Sequence, residues 1–197
     1  SWYAGGHYKG NIGRGHLDLQ AWHYGFTDIA AMNYIQGSYI LDTGTGWSPV
    51  IGAQYAHETD SGTALLGRID ANVYGLLTGV KHGAGTYTLA YDKIPSRAGA
   101  FQNGNIVSPY SNPYNSGPLY TNSMTHGLIS QFTTGNAWKL KAVYWLGSGR
   151  VWRLIGSYAS YRQDQYLHTS QTGNPWEVDA IFEVKILKVL RWNLKVP

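Results

Sequence analysis

A chain of 197 residues with 43% hydrophobic side chains, 25 Gly, 16 Tyr and 8 Trp has the composition of a folded protein, not a disordered one. Charged residues make up only 13%, about half the usual share, so Lys and Glu are too few to cover an ordinary water-facing surface. The lack of Cys excludes disulfides, thiolate metal sites and cysteine nucleophiles, no run of 18 apolar residues supplies a spanning helix, and a net charge of +4 from 15 scattered Lys and Arg builds no nucleic-acid patch.

Ser1 opens the chain without Met or a secretion signal, as in a processed product or a piece of something longer. His7, His16 and His23 are spaced by nine and seven residues, which fits neither a helical pair nor a zinc motif, so a structural or surface role is expected. Strands are then predicted over 17–24, 30–41 and 47–57. The next two segments, 64–70 and 72–81, read either as two strands or as one long one. After the tight turn His82-Gly83-Ala84-Gly85, a strand over 86–94 sets Tyr87, Leu89 and Tyr91 against Thr88 and Asp92. Residues 95–123 form a long loop holding four of the seven Pro together with Arg97, Tyr110, Tyr114 and Tyr120, stiffened rather than floppy and placed outside a barrel or constricting it.

A strand is predicted over 125–132, then a tight turn at Thr133-Thr134-Gly135-Asn136 and a strand over 138–146. In the latter, Trp138, Leu140, Ala142, Tyr144 and Leu146 oppose Lys139 and Lys141. Over 151–161, Trp152, Leu154 and Tyr158 oppose Arg153 and Ser157. The last strand, 176–189, puts Val178, Ala180, Phe182, Val184 and Ile186 on one face and Glu177, Asp179, Glu183 and Lys185 on the other. The class is all-β with a period of two throughout, and short turns alternate with a long loop.

Alternation of this kind suits a transmembrane antiparallel β-barrel with lipid outside and water inside. Abundant Tyr and Trp fit the two membrane interfaces, because each ring is apolar at one end and hydrogen-bonds at the other. A charge facing lipid at mid-membrane costs about 2–4 kcal/mol. Arg68, Lys81, Lys139, Lys141 and Arg153 are therefore expected on the pore wall. They either draw anionic groups or are neutralised by Asp70, Asp92, Glu177, Asp179 and Glu183, with Asp92 and Glu183 the favoured counter-charges.

Two other classes compete. A secreted, aromatic-rich β-sandwich that binds or hydrolyses carbohydrate would use the same aromatics, but Glu58, Glu177 and Glu183 are the only glutamates and none lies in a catalytic motif. A serine hydrolase would need more than Ser123, His126 and Ser130, which form no known signature. Detergent dependence separates the sandwich from the barrel.

Residues 62–74, Gly-Thr-Ala-Leu-Leu-Gly-Arg-Ile-Asp-Ala-Asn-Val-Tyr, and residues 83–94, Gly-Ala-Gly-Thr-Tyr-Thr-Leu-Ala-Tyr-Asp-Lys-Ile, resemble the OprD-type outer-membrane porin family in both motif and order. The closing stretch from Asn174, Pro175 and Trp176 is also similar. The resemblance implies a monomeric barrel of about 18 strands, passing small carboxylates or basic amino acids beside a ladder of basic side chains. It implies passive diffusion without enzyme activity or cofactor, and a place in the Gram-negative outer membrane. The expected partners are outer-membrane lipid and small solutes, not nucleic acid. The family runs to about twice this length and closes on an aromatic-ended strand, whereas this chain ends Trp192-Asn-Leu-Lys-Val-Pro197, so it reads as a carboxy-terminal half. The missing amino-terminal strands then belong to the native protein or to another membrane protein; a smaller closed barrel is the other possibility.

Overall fold

Nine antiparallel strands make one sheet whose spatial order is their order in the chain. They are β1 (Trp2–Ile12), β2 (Gly15–Phe26), β3 (Ala30–Leu41), β4 (Trp47–Asp60), β5 (Asp70–His82), β6 (Gly85–Ile94), β7 (Gly135–Leu146), β8 (Trp152–Gln163) and β9 (Trp176–Val184). The computed structural model describes residues 1–107, 118–129, 131–147, 151–164 and 172–184. Consecutive strands pair as hairpins, and β1 and β9 are the two ends of the sheet. At one end the links are short: β1 and β2 are joined by Gly13 and Arg14, and β5 and β6 by Gly83 and Ala84, with Gly13 and Gly83 at positive φ as such tight turns require. At the other end the steps from β4 to β5, from β6 to β7 and from β8 to β9 are longer, the arrangement of an up-and-down barrel wall.

The two faces of the sheet differ as the alternation requires. On the outer face Ile51, Leu76, Leu140, Val178 and Phe182 are each 58–63% exposed, with no layer of the described residues over them. So much uncovered apolar surface matches hydrocarbon, and it argues against the sandwich reading. Aromatic side chains collect near both ends of the outer face. Tyr91 and Trp138 (ring centroids 4.5 Å apart) and Tyr55 and Tyr74 (5.3 Å) lie toward the long loops; Trp152 and Phe182 (5.2 Å) and Trp47 and His82 (3.9 Å) lie toward the short turns. These are the two interfacial girdles.

The core sits on the concave inner face. Met32, Tyr34, Ala56, Val73, Ala137 and Tyr161 of the wall cluster with Ile106, Leu119, Leu128 and Ile129 from the described parts of the connection between β6 and β7. Ala30, Ile69 and Val107 form a smaller cluster at the rim with Phe26, Ile29 and Phe101.

Three sequence expectations are corrected. Strand β1 lies in a stretch with none predicted; its glycines weaken the β signal, yet in the ladder with β2 two Gly–Trp pairs, Gly5 with Trp22 and Trp2 with Gly25, set a glycine against a bulky ring. A Cβ on Gly5 would meet Trp22 Cε3 at 2.5 Å, and one on Gly25 would meet Trp2 Nε1 at 2.4 Å. Residues 64–70 are not a strand but a double turn: Gly62, Ala64 and Gly67 have positive φ, and Asp28 holds the turn through Thr63 N–H (3.0 Å) and its own carbonyl through Leu65 N–H (2.8 Å). The glycines of the family-like motif therefore serve this turn. The third correction concerns 125–132, also not a strand: Leu128 and Ile129 are both buried instead of alternating, and Thr133 N–H closes on Leu128 O at 3.1 Å. Gly135 and Asn136 accordingly open β7 and do not form a separate turn.

Candidate pore wall

Register places the charged side chains of the inner face in rows. Ala90, Lys139, Ala159 and Glu177 are successive cross-strand partners; one step toward the short turns the row is Thr88, Lys141, Ser157 and Asp179. Two steps farther, Arg153 is opposite Glu183, and its guanidinium Nη2 pairs with Glu183 Oε2. Lys81 faces inward near the short-turn end of β5 and lines a recess there with Arg14 and His16. At the far side of the sheet Asp18 accepts His7 (2.6 Å) and Lys9 (3.0 Å).

The long connection is tied to this wall chiefly through its backbone. Asp92, fully buried, accepts Thr121 N–H at 2.6 Å and Gln54 Nε2 at 2.7 Å. Glu58 accepts Val107 N–H at 2.8 Å, and Glu177 accepts Thr125 N–H at 3.0 Å. The Tyr161 hydroxyl lies 2.8 Å from Thr121 O, 3.0 Å from Ser123 Oγ and 3.0 Å from His126 O. The Tyr120 hydroxyl donates to the carbonyls of Gly37 (3.3 Å) and Ala53 (3.2 Å), over Gly52, where a Cβ would approach it to 3.0 Å. Burial pushes the Tyr120 phenol up to about 12, so it stays a neutral donor.

The seven residues expected on the pore wall separate by role. Lys139 is almost fully buried; its Nζ donates to Asn122 O and stands 3.9 Å from Asp179 Oδ2, so it braces the loop. Lys141 is half-buried and lines a 410 Å³ recess between loop and wall with Thr86, Thr88, Tyr120 and Asn122. Among the described residues it has no ion-pair partner. Asp92 meets a loop amide and Gln54, not a cation, while Glu183 does meet Arg153. Arg68 lies in the double turn at the rim, 2.7 Å from Asp70, and Arg97 Nε is 3.9 Å from the same carboxylate; neither is on a strand. Of the loop residues singled out, Tyr120 borders the recess, while Tyr110 and Tyr114 lie outside the described residues.

The loop anchors Gln54, Glu58, Thr121 and Tyr161 were not anticipated. For Gln54, Glu58 and Tyr161 the one sequence signal is a polar or hydroxyl-bearing side chain at an inward strand position, and Thr121 of the loop has none. The serine hydrolase set dissolves: Ser123 Oγ and the His126 carbonyl converge on the Tyr161 hydroxyl, and Ser130 lies outside the described residues. His16 and His23 sit on opposite faces of β2.

An antiparallel wall that is apolar outside, charged inside and overlain by a folded-in loop defines a transmembrane porin barrel. The family model "outer membrane porin, OprD family" matches residues 2–139, and the chain belongs to that family. Among solved structures it is similar to a BenF-like porin from Pseudomonas fluorescens Pf-5 (18% identity, TM-score 0.67), covering 90% of this chain and 43% of that one. It is also similar to Pseudomonas aeruginosa OccK9 (OpdG), at 19% identity and TM-score 0.66 over 90% and 43% of the two chains. A third is P. aeruginosa OccK2 (OpdF) in complex with glucuronate, at 18% identity and TM-score 0.64 over 91% and 46%. The chain thus spans less than half the length of these structures. No curated protein matches it. The family is one of outer-membrane proteins, which sets the greasy face against lipid.

Proposed function

We propose that this chain forms one part of the wall of a passive outer-membrane channel for small anionic solutes, closed into a barrel by strands outside it. The observation that carries the reading is Lys141, a cation without an ion-pair partner among the described residues, facing a 410 Å³ recess lined by Thr86, Thr88 and Tyr120. A carboxylate entering there meets one positive charge and several hydroxyls, which is enough to select by charge without holding the solute tightly. Lys81 and Arg153 continue the positive track toward the short turns, with Glu183 partly offsetting Arg153. The described residues of the connection between β6 and β7 lie against the inner wall and narrow the passage, with Tyr120 as the narrowing residue. Transport is passive, without catalysis or cofactor. The glucuronate bound to OccK2 is an anion, consistent with such a track in a structural relative.

Planar-bilayer recording on the full-length porin tests this. Lys141→Gln should move the reversal potential toward cation selectivity while leaving conductance close to wild type, and Lys139→Gln should add conductance noise, because its amine supports the loop. An unchanged reversal potential in the Lys139→Gln/Lys141→Gln double variant would remove both from the pore.

A further inference from the structure

The outer face carries its own charge pattern. Inner positions of the described strands hold Lys9, Lys81, Lys139, Lys141 and Arg153, whereas on the outer face only Lys93 and Arg162 are Lys or Arg. These two fall in one cross-strand row, Lys93 opposite Asn136 and Asn136 opposite Arg162. Neither has an ion-pair partner among the described residues. Asp164, the next outward position after Arg162, has its carboxylate engaged by Thr134 Oγ1 at 3.0 Å.

Their depth is informative. Descending from Lys93, the outer face reads Tyr91, then Leu89; descending from Asn136, it reads Trp138, then Leu140. The row therefore stands one step beyond Tyr91 and Trp138 and in line with Tyr74, the partner of Lys93 on β5, so it lies at the long-loop girdle, where hydrocarbon gives way to headgroups. At the short-turn end the outer face of the described strands has no Lys or Arg at all. Directly beneath the row, Leu76, Leu89, Tyr91 and Trp138 border an apolar depression of 620 Å³ that reaches across to Ile51 and Tyr39. A cationic pair with an amide between them, over an apolar trough, is complementary to a lipid with an anionic head and acyl tails.

We propose that Lys93, Asn136 and Arg162 bind the phosphate of a phosphorylated lipid in the leaflet on the long-loop side, with an acyl chain in the depression below. Arg and Lys at this spacing supply charge-assisted hydrogen bonds to phosphate oxygens, and the Asn side-chain amide adds a neutral donor. The inference rests on the barrel's seat in the outer membrane and not on which solute it passes.

Native mass spectrometry of the detergent-solubilised full-length porin tests it, with a diphosphorylated, acylated glucosamine disaccharide lipid and its dephosphorylated form as probes. Wild type should bind the phosphorylated lipid at least about tenfold more tightly, and Lys93→Gln/Arg162→Gln should lose about that factor, with no change for the dephosphorylated lipid. Heat-modifiable migration on gels confirms that the variant is folded. Equal binding of the two lipids by wild type, unaltered binding by the double variant, or displacement of the lipid by inorganic phosphate alone would overturn the proposal. Conductance and selectivity of the same variant should match wild type, so a wild-type protein that fails to conduct would refute the channel reading without touching this one.

Discussion

The inner face divides into two regions that employ charge for opposite ends. On β4 and β6 the charges are carboxylates sunk beneath the loop, Glu58 and Asp92, each 0% exposed and each accepting a backbone N–H of the loop. On β7 and β8 they are cations: Lys141, without an ion-pair partner among the described residues, and Arg153, paired only with the half-exposed Glu183. A buried ion persists only where partners replace its water, and a carboxylate obtains them from backbone amides that any loop sequence provides. A cation needs loop carbonyls in the same way, and whether one comes within reach decides its role. Lys139 found one at Asn122 and became a brace; Lys141 found none and faces the recess. Charges that the described loop residues reach tie the loop to the wall, whereas Lys141 has no ion-pair partner among the described residues.

The sharpest way to break that division is Asp92→Ala. It strips the acceptor from Thr121 N–H and from Gln54 Nε2, and bonds to a charged group contribute about 1.5–3 kcal/mol each. The loop should leave the wall, seen as a larger single-channel conductance and new protease cleavage within 118–129. Asp92→Asn should fall between the two. Gly75→Ala should imitate Asp92→Ala without removing any charge, since its Cβ would lie 2.3 Å from Asp92 Oδ1. Normal conductance in Asp92→Ala would mean that apolar contacts through Leu119, Leu128 and Ile129 hold the loop unaided.

A smaller effect is expected from Tyr161→Phe. The phenol meets two carbonyls and a hydroxyl of the loop but is uncharged, so its loss should cost about 1 kcal/mol. The ring stays in the core beside Ala137 and Ala159, and folding should survive. Conductance should show added flicker without a new mean level; a change as large as that of Asp92→Ala would erase the distinction between charged and neutral anchors.

Legibility in the sequence followed the same boundary. Every strand whose neighbours are strands and whose faces are lipid and lumen announced itself: Trp138, Leu140 and Tyr144 point out and Lys139 and Lys141 point in, as period two demands. β1 did not, because its Gly5 is matched to Trp22 and its Trp2 to Gly25 of β2 across the register, pairings that no local window contains. The stretch 125–132 misled because its apolar residues pack against a wall built mostly from distant strands and not in a ladder of their own, and the double turn at 61–69 hid its positive-φ residues in a motif that looks strand-like. For the pore wall, the alternation shows which side each charge faces. It carries no information on which charges the folded-in loop neutralises, since Thr121, Asn122 and Thr125 act mostly through backbone atoms that any residue has.

The least of the expected effects probes a loop anchor that can change its charge. His126 packs on Tyr161 (5.3 Å between rings), its Nε2 is buried without a hydrogen-bond partner among the described residues, and Glu177 is the charged group that pulls on it. Burial pushes the imidazole below its ordinary 6.5, and the attraction of Glu177 only partly restores it. Docked, the ring is therefore neutral where an undocked, hydrated ring would already bind a proton. The undocked state takes up more protons through that interval, so docking is strongest above the ordinary histidine range and weakens as pH falls through it. Lowering the bath from about pH 7.5 to about pH 5 should increase loop-dependent flicker, and His126→Gln should flatten that response. Flicker that fell on acidification would mean that the protonated ring pairs with Glu177, which would move His126 from the neutral anchors to the charged ones.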